Sequence, residues 1–264
     1  LDEVRQRRHE FESQRYLSQD IVERFRQIGV YRAMVPKALG GDERSPLEFL
    51  QMVEAIAAAD GSAGWVASFG MNPAYLAALP VATIDKVWAD GPDVVFAGGI
   101  FPTQPARRVA GGYIVSGRWK FGSGSMGASL IGVGIQPESG EPLPRMAVMP
   151  ADQVTIEPNW DVIGMVGTGS HDMVVDEVFV PEDWTFVRGG KPNIESDFFT
   201  YPSLSFAAQV LSVTTAGLAR EALDVVQGMA AGRQSVTGAP NLGEREHVQI
   251  EIAKAEAKLR SSRA

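Results

Sequence analysis

GGYIVSGRWKFGSGSMGAS, residues 111–129, decides how the rest of the chain is read. A glycine turn launches an alternating segment with Tyr113, Val115 and Gly117 on one face and Ile114, Ser116 and Arg118 on the other, as in a half-buried strand. After Phe121 almost every residue is small, so the backbone itself can come close to a flat ligand. A second stretch of the same character, GMVGTGS at residues 164–170, feeds another apolar run. Its three glycines cost conformational entropy unless close backbone approach is needed. Two glycine/serine loops hung on strands are the strongest sign in this chain of a bound cofactor, the alternative being wide turns in a sheet.

Outward from these loops the chain divides into three parts. Residues 1–92 read as an all-helical layer. Ser18 is placed to cap a helix carrying Ile21, Val22, Phe25 and Ile28. Ser45, Pro46 and Glu48 form a capping box with proline at the first helical position, ahead of Phe49, Leu50, Val53, Ile56 and Ala57. Asp60 restarts the helix, and short helices follow near 73–79 and 83–89. Residues 93–190 change period from 3.6 to 2, with strands expected at 94–100, 113–121, 130–135, 145–149, 154–157 and 173–180. Turns at such spacing imply an antiparallel sandwich or barrel. Residues 191–264 carry two long helical patterns. Ala207, Val210, Leu211, Thr214, Leu218, Ala222 and Val225 form one stripe, and Val248, Ile252, Ala255 and Leu259 the other. Helices this long need partners, so the pattern, running on to Ala264 without a breaker, implies oligomerisation, missing sequence, or both.

The composition narrows the function. With 264 residues the chain can bury about three quarters of its unfolded surface. A net charge of −8 gives no general electrostatic case for nucleic acid or an anionic membrane. No apolar run is long enough to span a bilayer. The absence of cysteine removes disulfides and thiolate chemistry and makes a cytoplasmic setting the default. His9, His171 and His247 are too scattered to suggest a metal cluster.

Within the first loop, Gly122, Gly124 and Gly127 match the spacing of a dinucleotide-binding turn. That mechanism requires a helix immediately afterwards, and the following ASLIGVGIQ reads as a strand, so the match is set aside. Trp119 and Phe121 flank Lys120, which directs both rings to one face, either as core aromatics or as a wall beside a planar ring system. Ser123 and Ser125 would then offer hydroxyls to ring edges. Thr168, Ser170 and His171 place hydroxyls and an imidazole at a strand entrance, where solvated turn residues are also common. The carboxylates Asp60, Asp161, Asp172 and Glu177 form no pair with acid/base spacing.

Four segments in one order carry a resemblance: IGVYRAMVPKALGG (28–41), AAADGSAGWVASFG (57–70), GGYIVSGRWKFGSG (111–124) and GMVGTGSHDMVVDEVFVPE (164–182). Together they resemble the acyl-CoA dehydrogenase superfamily, in particular its flavin-dependent monooxygenase branch of phenol hydroxylases and desulfurisation enzymes. The resemblance implies an α+β fold: a helical N-terminal domain, an antiparallel β-barrel middle domain and a C-terminal helical bundle, here incomplete, usually in a homotetramer. It also implies that reduced FMN or FAD arrives from a separate flavin reductase, with molecular oxygen as co-substrate and an aromatic or heteroatom-containing small molecule as acceptor. By resemblance the flavin contacts Trp119, Phe121, Gly122 and Ser123 on one loop and Gly167, Thr168, Gly169 and Ser170 on the other. Ser170 would hydrogen-bond near flavin N5 and protect a C4a-hydroperoxide. Phenol-hydroxylating relatives often carry a histidine where this chain has Gly127, which leaves His171 as a substitute base.

Two other functions fit the same residues. An acyl-CoA dehydrogenase would abstract an α proton from an acyl thioester, although the segment AGGIFPTQP (97–105) lacks the acidic residue such enzymes place there. A flavin-binding scaffold without turnover is the third.

Overall fold

The computed structural model describes residues 1–137, 144–232 and 240–263; the expectation that concerns Ala264 lies outside them. Seven helices come first: α1 (Asp2–Gln6), α2 (Arg8–Gln14), α3 (Gln19–Gln27), α4 (Pro46–Ala59), α5 (Gly61–Ala67), α6 (Pro73–Leu76) and α7 (Val81–Val87). The capping box forms as the sequence dictates. Ser45 Oγ accepts the Glu48 N–H at 3.3 Å, and the Glu48 carboxylate accepts the Ser45 N–H at 2.8 Å. Asp60 caps α5 by accepting the Ala63 N–H at 2.8 Å. Ser18 stands at the start of α3, but its hydroxyl accepts from the Arg7 guanidinium at 2.7 Å instead of capping the helix. Ile21, Val22 and Phe25 are buried from α3, whereas Ile28 is exposed.

The strands are β1 (Phe96–Val109), β2 (Gly112–Gly122), β3 (Leu130–Pro137), β4 (Arg145–Pro150), β5 (Thr155–Glu157), β6 (His171–Pro181) and β7 (Thr185–Val187). They form one sheet in the order β5-β6-β2-β1-β3-β4-β7. Two expectations need correction. Among the described residues the sheet is open, with β5 and β7 at its edges, so it is not a closed barrel. It is also mixed: β1 and β3 run parallel, with Phe96 opposite Leu130 and Gly99 opposite Val133, while every other pair is antiparallel. The cause lies in residues 123–129. After β2 the chain crosses the start of β1 and runs up its far edge, tied there by Ser129 N–H and Leu130 N–H to the Val95 carbonyl at 2.8 and 3.1 Å. A strap over a strand end needs small residues, which is one reason for the glycine/serine run.

One face of the sheet carries its own core around Trp119, Tyr113, Val115, Ile131 and Met173. The other face packs Phe96, Met146, Val148 and Phe186 against Leu76, Leu79, Ile84 and Trp88 of the helical layer. Two long helices follow, α8 (Ser203–Gly232) and α9 (Glu246–Arg263), joined by the Arg220–Glu256 ion pair at 2.5 Å. Phe206 and Val210 of α8 enter the cluster of Phe49 and Val53. Gly217 lets α8 come close to α4, because a Cβ there would sit 2.6 Å from the Ala57 Cβ and from the Glu54 carbonyl. The single stripe expected on α8 is split. Val210 and Thr214 are buried, whereas Leu204, Leu211, Leu218 and Val225, seven residues apart, are 40–66% exposed.

Candidate functional site

Antiparallel pairing sets Gly122, the last residue of β2, opposite His171, the first of β6. That register brings both glycine/serine loops to one end of the sheet, where the Gly124 N–H donates to the Thr168 carbonyl at 2.9 Å. Three buried hydroxyls then line up. Ser123 Oγ lies 2.6 Å from Ser170 Oγ, and Ser170 Oγ lies 2.6 Å from Thr168 Oγ1. Thr168 donates to the Met165 carbonyl at 2.8 Å. With that proton committed, Thr168 accepts from Ser170, and Ser170 accepts from Ser123. Ser125, on the same strap, has a buried hydroxyl with no partner among the described residues. An unspent buried donor costs about 1–3 kcal/mol, so this loop is suited to a ligand that accepts from it.

The glycines serve a different purpose from the one read in the sequence. A Cβ at Gly167 would sit 2.9 Å from Phe11 Cβ, and one at Gly169, whose φ is +57°, 2.7 Å from Tyr16 Cβ. At Gly127 it would lie 2.7 Å from Val22. These positions are small so that α2, α3 and the chain between them can pack on the loops. A histidine at 127 has no room while α3 stays in place.

The two aromatic rings part company. Trp119 is 0% exposed, over Gly117, with its Nε1–H donated to the Gly134 carbonyl at 2.8 Å. It forms the floor beneath the loop and has no free face for a ligand. Phe121 is 65% exposed, on the opposite side. Strict alternation would have kept the rings together, but the register slips between Trp119 and Gly122, and Phe121 takes φ +63°. A positive φ at a bulky residue is strained and is found at binding sites.

Phe121 meets Trp160 edge to face, with ring centroids 6.1 Å apart. Trp160 was not singled out in the sequence, although a tryptophan just upstream of GMVGTGS was the available signal. Its N–H donates to His171 Nδ1 at 3.0 Å, its carbonyl accepts from Arg15 at 2.7 Å, and its indole N–H donates to the Met165 carbonyl at 3.1 Å. His171 is 2% exposed, and accepting that N–H requires the neutral ring with its proton on Nε2. Burial, assisted by the Arg15 charge, holds its pKa below the ordinary value. The imidazole therefore fixes Trp160 rather than facing open solvent as a base. Beside it, Asp172 is buried and paired with Arg118 at 2.6 Å, and Arg118 also holds Glu157 at 2.6 Å.

Among the described residues no cluster of histidines and carboxylates could hold a metal ion, and no helix is long and apolar enough to cross a membrane. The two small-residue loops, the row of hydroxyls and the outward aromatic pair thus meet at one end of the sheet.

Comparison with known proteins gives the fold and the family. Residues 1–80 match the acyl-CoA dehydrogenase N-terminal domain family. The 3-HSA hydroxylase from Rhodococcus sp. RHA1 superimposes with a TM-score of 0.88 at 27% identity, over 98% of this chain and 70% of that one. This likeness gives an acyl-CoA dehydrogenase-like fold. An indole-3-acetate monooxygenase of Pseudomonas putida is 59% identical over the whole chain, which spans 69% of that relative. The oxygenase component of an FADH(2)-dependent resorcinol hydroxylase from a Rhizobium species is 34% identical over 89% of this chain and 61% of its own length. The chain belongs to the flavin-dependent monooxygenases of the acyl-CoA dehydrogenase superfamily.

Proposed function

We propose that this chain forms the larger part of the oxygenase component of a two-component monooxygenase. Reduced FMN or FAD would come from a separate flavin reductase, molecular oxygen would be the co-substrate, and one oxygen atom would enter an aromatic acid related to indole-3-acetate. The observation that carries the reading is the meeting of the two small-residue loops, with the hydroxyl row of Ser123, Ser170 and Thr168 between them. The relatives' names point to the same chemistry.

Phe121, Ser123, Ser125, Thr168 and Ser170 would hold the flavin, with the backbone at Gly122, Gly167 and Gly169 beside it. The unpartnered Ser125 hydroxyl and the exposed Phe121 ring fit such a group. When bound, the reduced flavin supplies the electrons that activate oxygen. The protein's own part is to place the Ser170 hydroxyl at the ring edge, where on binding it would turn from Thr168 to donate to the ring, and to exclude water with Phe121 and Trp160. His171 acts through Trp160 in this scheme. The exposed stripe of α8 supports assembly, with the homotetramer as the proposed form. A cytoplasmic location belongs to the same proposal, in keeping with a chain that has no cysteine.

The test is the redox preference of flavin binding by the full natural protein. Parallel titration with oxidised and anaerobically reduced FMN and FAD should show tight binding of the reduced form. With a reductase and oxygen, indole-3-acetate should then be hydroxylated. Oxidised FAD carried stoichiometrically through purification would instead mean the dehydrogenase function.

A further inference from the structure

A cavity of about 170 Å³ lies between the helical layer and the sheet, apart from the hydroxyl row. Its apolar wall is made by Phe69, Phe96, Met146 and Phe186, with Gly98 and Ile100 on the β1 side. A space of this order accepts an aromatic ring: an apolar cavity of ~150 Å³ takes benzene. Phe69 links it to the strap of residues 123–129, since a Cβ at Gly124 would lie 3.5 Å from the Phe69 ring. The cavity thus adjoins the proposed flavin site without sharing its hydroxyls.

Two polar groups on the wall are unspent. Arg188 follows β7, and its backbone N–H is fixed to the Pro144 carbonyl at 2.9 Å. Its guanidinium lies flat on Tyr75, 3.7 Å from the ring centroid. Arg188 Nη1 is buried and has no hydrogen-bond partner among the described residues. Asn72 donates its amide N–H to the Val94 carbonyl at 2.9 Å, which leaves Oδ1 buried and also without a partner there. A charged donor and a neutral acceptor, both closed off from water just behind the apolar wall their residues help to line, each lack a hydrogen-bond complement, which a ligand entering the cavity could supply by a small side-chain turn.

We propose that this cavity is the substrate subsite and that Arg188 and Asn72 determine its specificity: Arg188 binds the carboxylate of an aryl-acetate side arm, and Asn72 accepts the ring N–H. The proposal rests on the monooxygenase reading above and adds the groups that would choose the substrate. The chemistry is matched at each point. A planar fork on an aromatic shelf suits a carboxylate, the amide oxygen suits an indole-type N–H, and the aromatic wall suits the ring between them. Tyr75 holds the guanidinium in one orientation, so little side-chain freedom is lost on binding.

The experiment uses the full natural protein with Arg188→Gln and Arg188→Lys, and compares indole-3-acetate with uncharged 3-methylindole on each. Equilibrium binding of both ligands and of reduced flavin is measured on the same preparations. Because acid and neutral ligand are compared on one sample, a variant that folds poorly lowers both alike and leaves their ratio unchanged. Arg188→Gln should weaken the acid by roughly 10- to 100-fold relative to the neutral compound, the range of a lost charged hydrogen bond. Arg188→Lys should restore part of it, and reduced-flavin affinity should not move. An unchanged ratio would overturn the assignment, and a fall in flavin affinity would give Arg188 to the cofactor. If the natural protein binds reduced flavin but neither indole compound, the subsite falls while the oxygenase reading stands. If it fails to bind reduced flavin, the parent reading falls and takes the subsite with it.

Discussion

Single residues at this site divide into those that touch the open end and those that hold them. Ser170 sits mid-row, accepting from Ser123 and donating to Thr168, so removing its hydroxyl breaks the row at its centre. Ser170→Ala should fold normally yet release more hydrogen peroxide per NADH consumed in the reductase-coupled assay; unchanged coupling would take Ser170 out of the chemistry. Trp119 makes the opposite prediction. Its indole N–H satisfies the buried Gly134 carbonyl, so Trp119→Phe should cost about 1–3 kcal/mol in urea unfolding and leave flavin affinity unaltered. His171 adds a pH dependence. Its folded-state pKa is held below the ordinary 6.5, so the unfolded chain binds its proton first. The stability it contributes is complete above pH 6.5 and drains away as pH falls from there toward the lower folded value. His171→Asn retains an acceptor for the Trp160 N–H and cannot titrate. Its Tm should fall less than that of the natural protein as pH drops below 6.5, and parallel curves would disprove the assignment. Which of these residues are central was only partly visible in the sequence. The loops announced themselves through their glycines, but the outward turn of Phe121 depends on a register slip against β6. Trp160, Asn72 and Arg188 come from segments that meet only in the fold.

At the level of elements, local chemistry was legible and long-range pairing was not. Ser45 with Glu48 and Asp60 with Ala63 act within one turn, so the sequence alone implies them. The parallel β1–β3 pair depends on where the strap of residues 123–129 comes down, which periodicity does not encode. β7 has three residues, too few to show any period. The split of the α8 stripe likewise depends on which face α4 covers. The packed glycines give a test of the strap and its neighbour. Gly169→Ala forces a methyl toward Tyr16 at φ +57°, and should lower stability by about 1–3 kcal/mol through strain and collision together. If denaturant unfolding shows no loss, the second loop is not packed as described.

For the whole molecule, the unresolved demand is the uncovered flank of α8. Leu204, Leu211, Leu218 and Val225 repeat every seven residues, the spacing at which one helix seats against another. Residues 1–264 expressed alone should therefore self-associate and bind a hydrophobic dye. Leu211→Glu combined with Val225→Glu should suppress both, as light scattering and dye fluorescence would record; a chain that stays monomeric and dye-silent before mutation would refute this. The sheet order has a further consequence, in time rather than space. The helix caps close within a few residues, but Gly122 can meet His171 only after β3, β4 and β5 have been threaded between them in the chain. Contacts so distant in sequence form slowly, because loop-closure entropy is lost before they stabilise anything. On dilution from denaturant, helical signal should thus return well before the protein regains its hold on reduced flavin, because the cradle is built only after the local helices have formed.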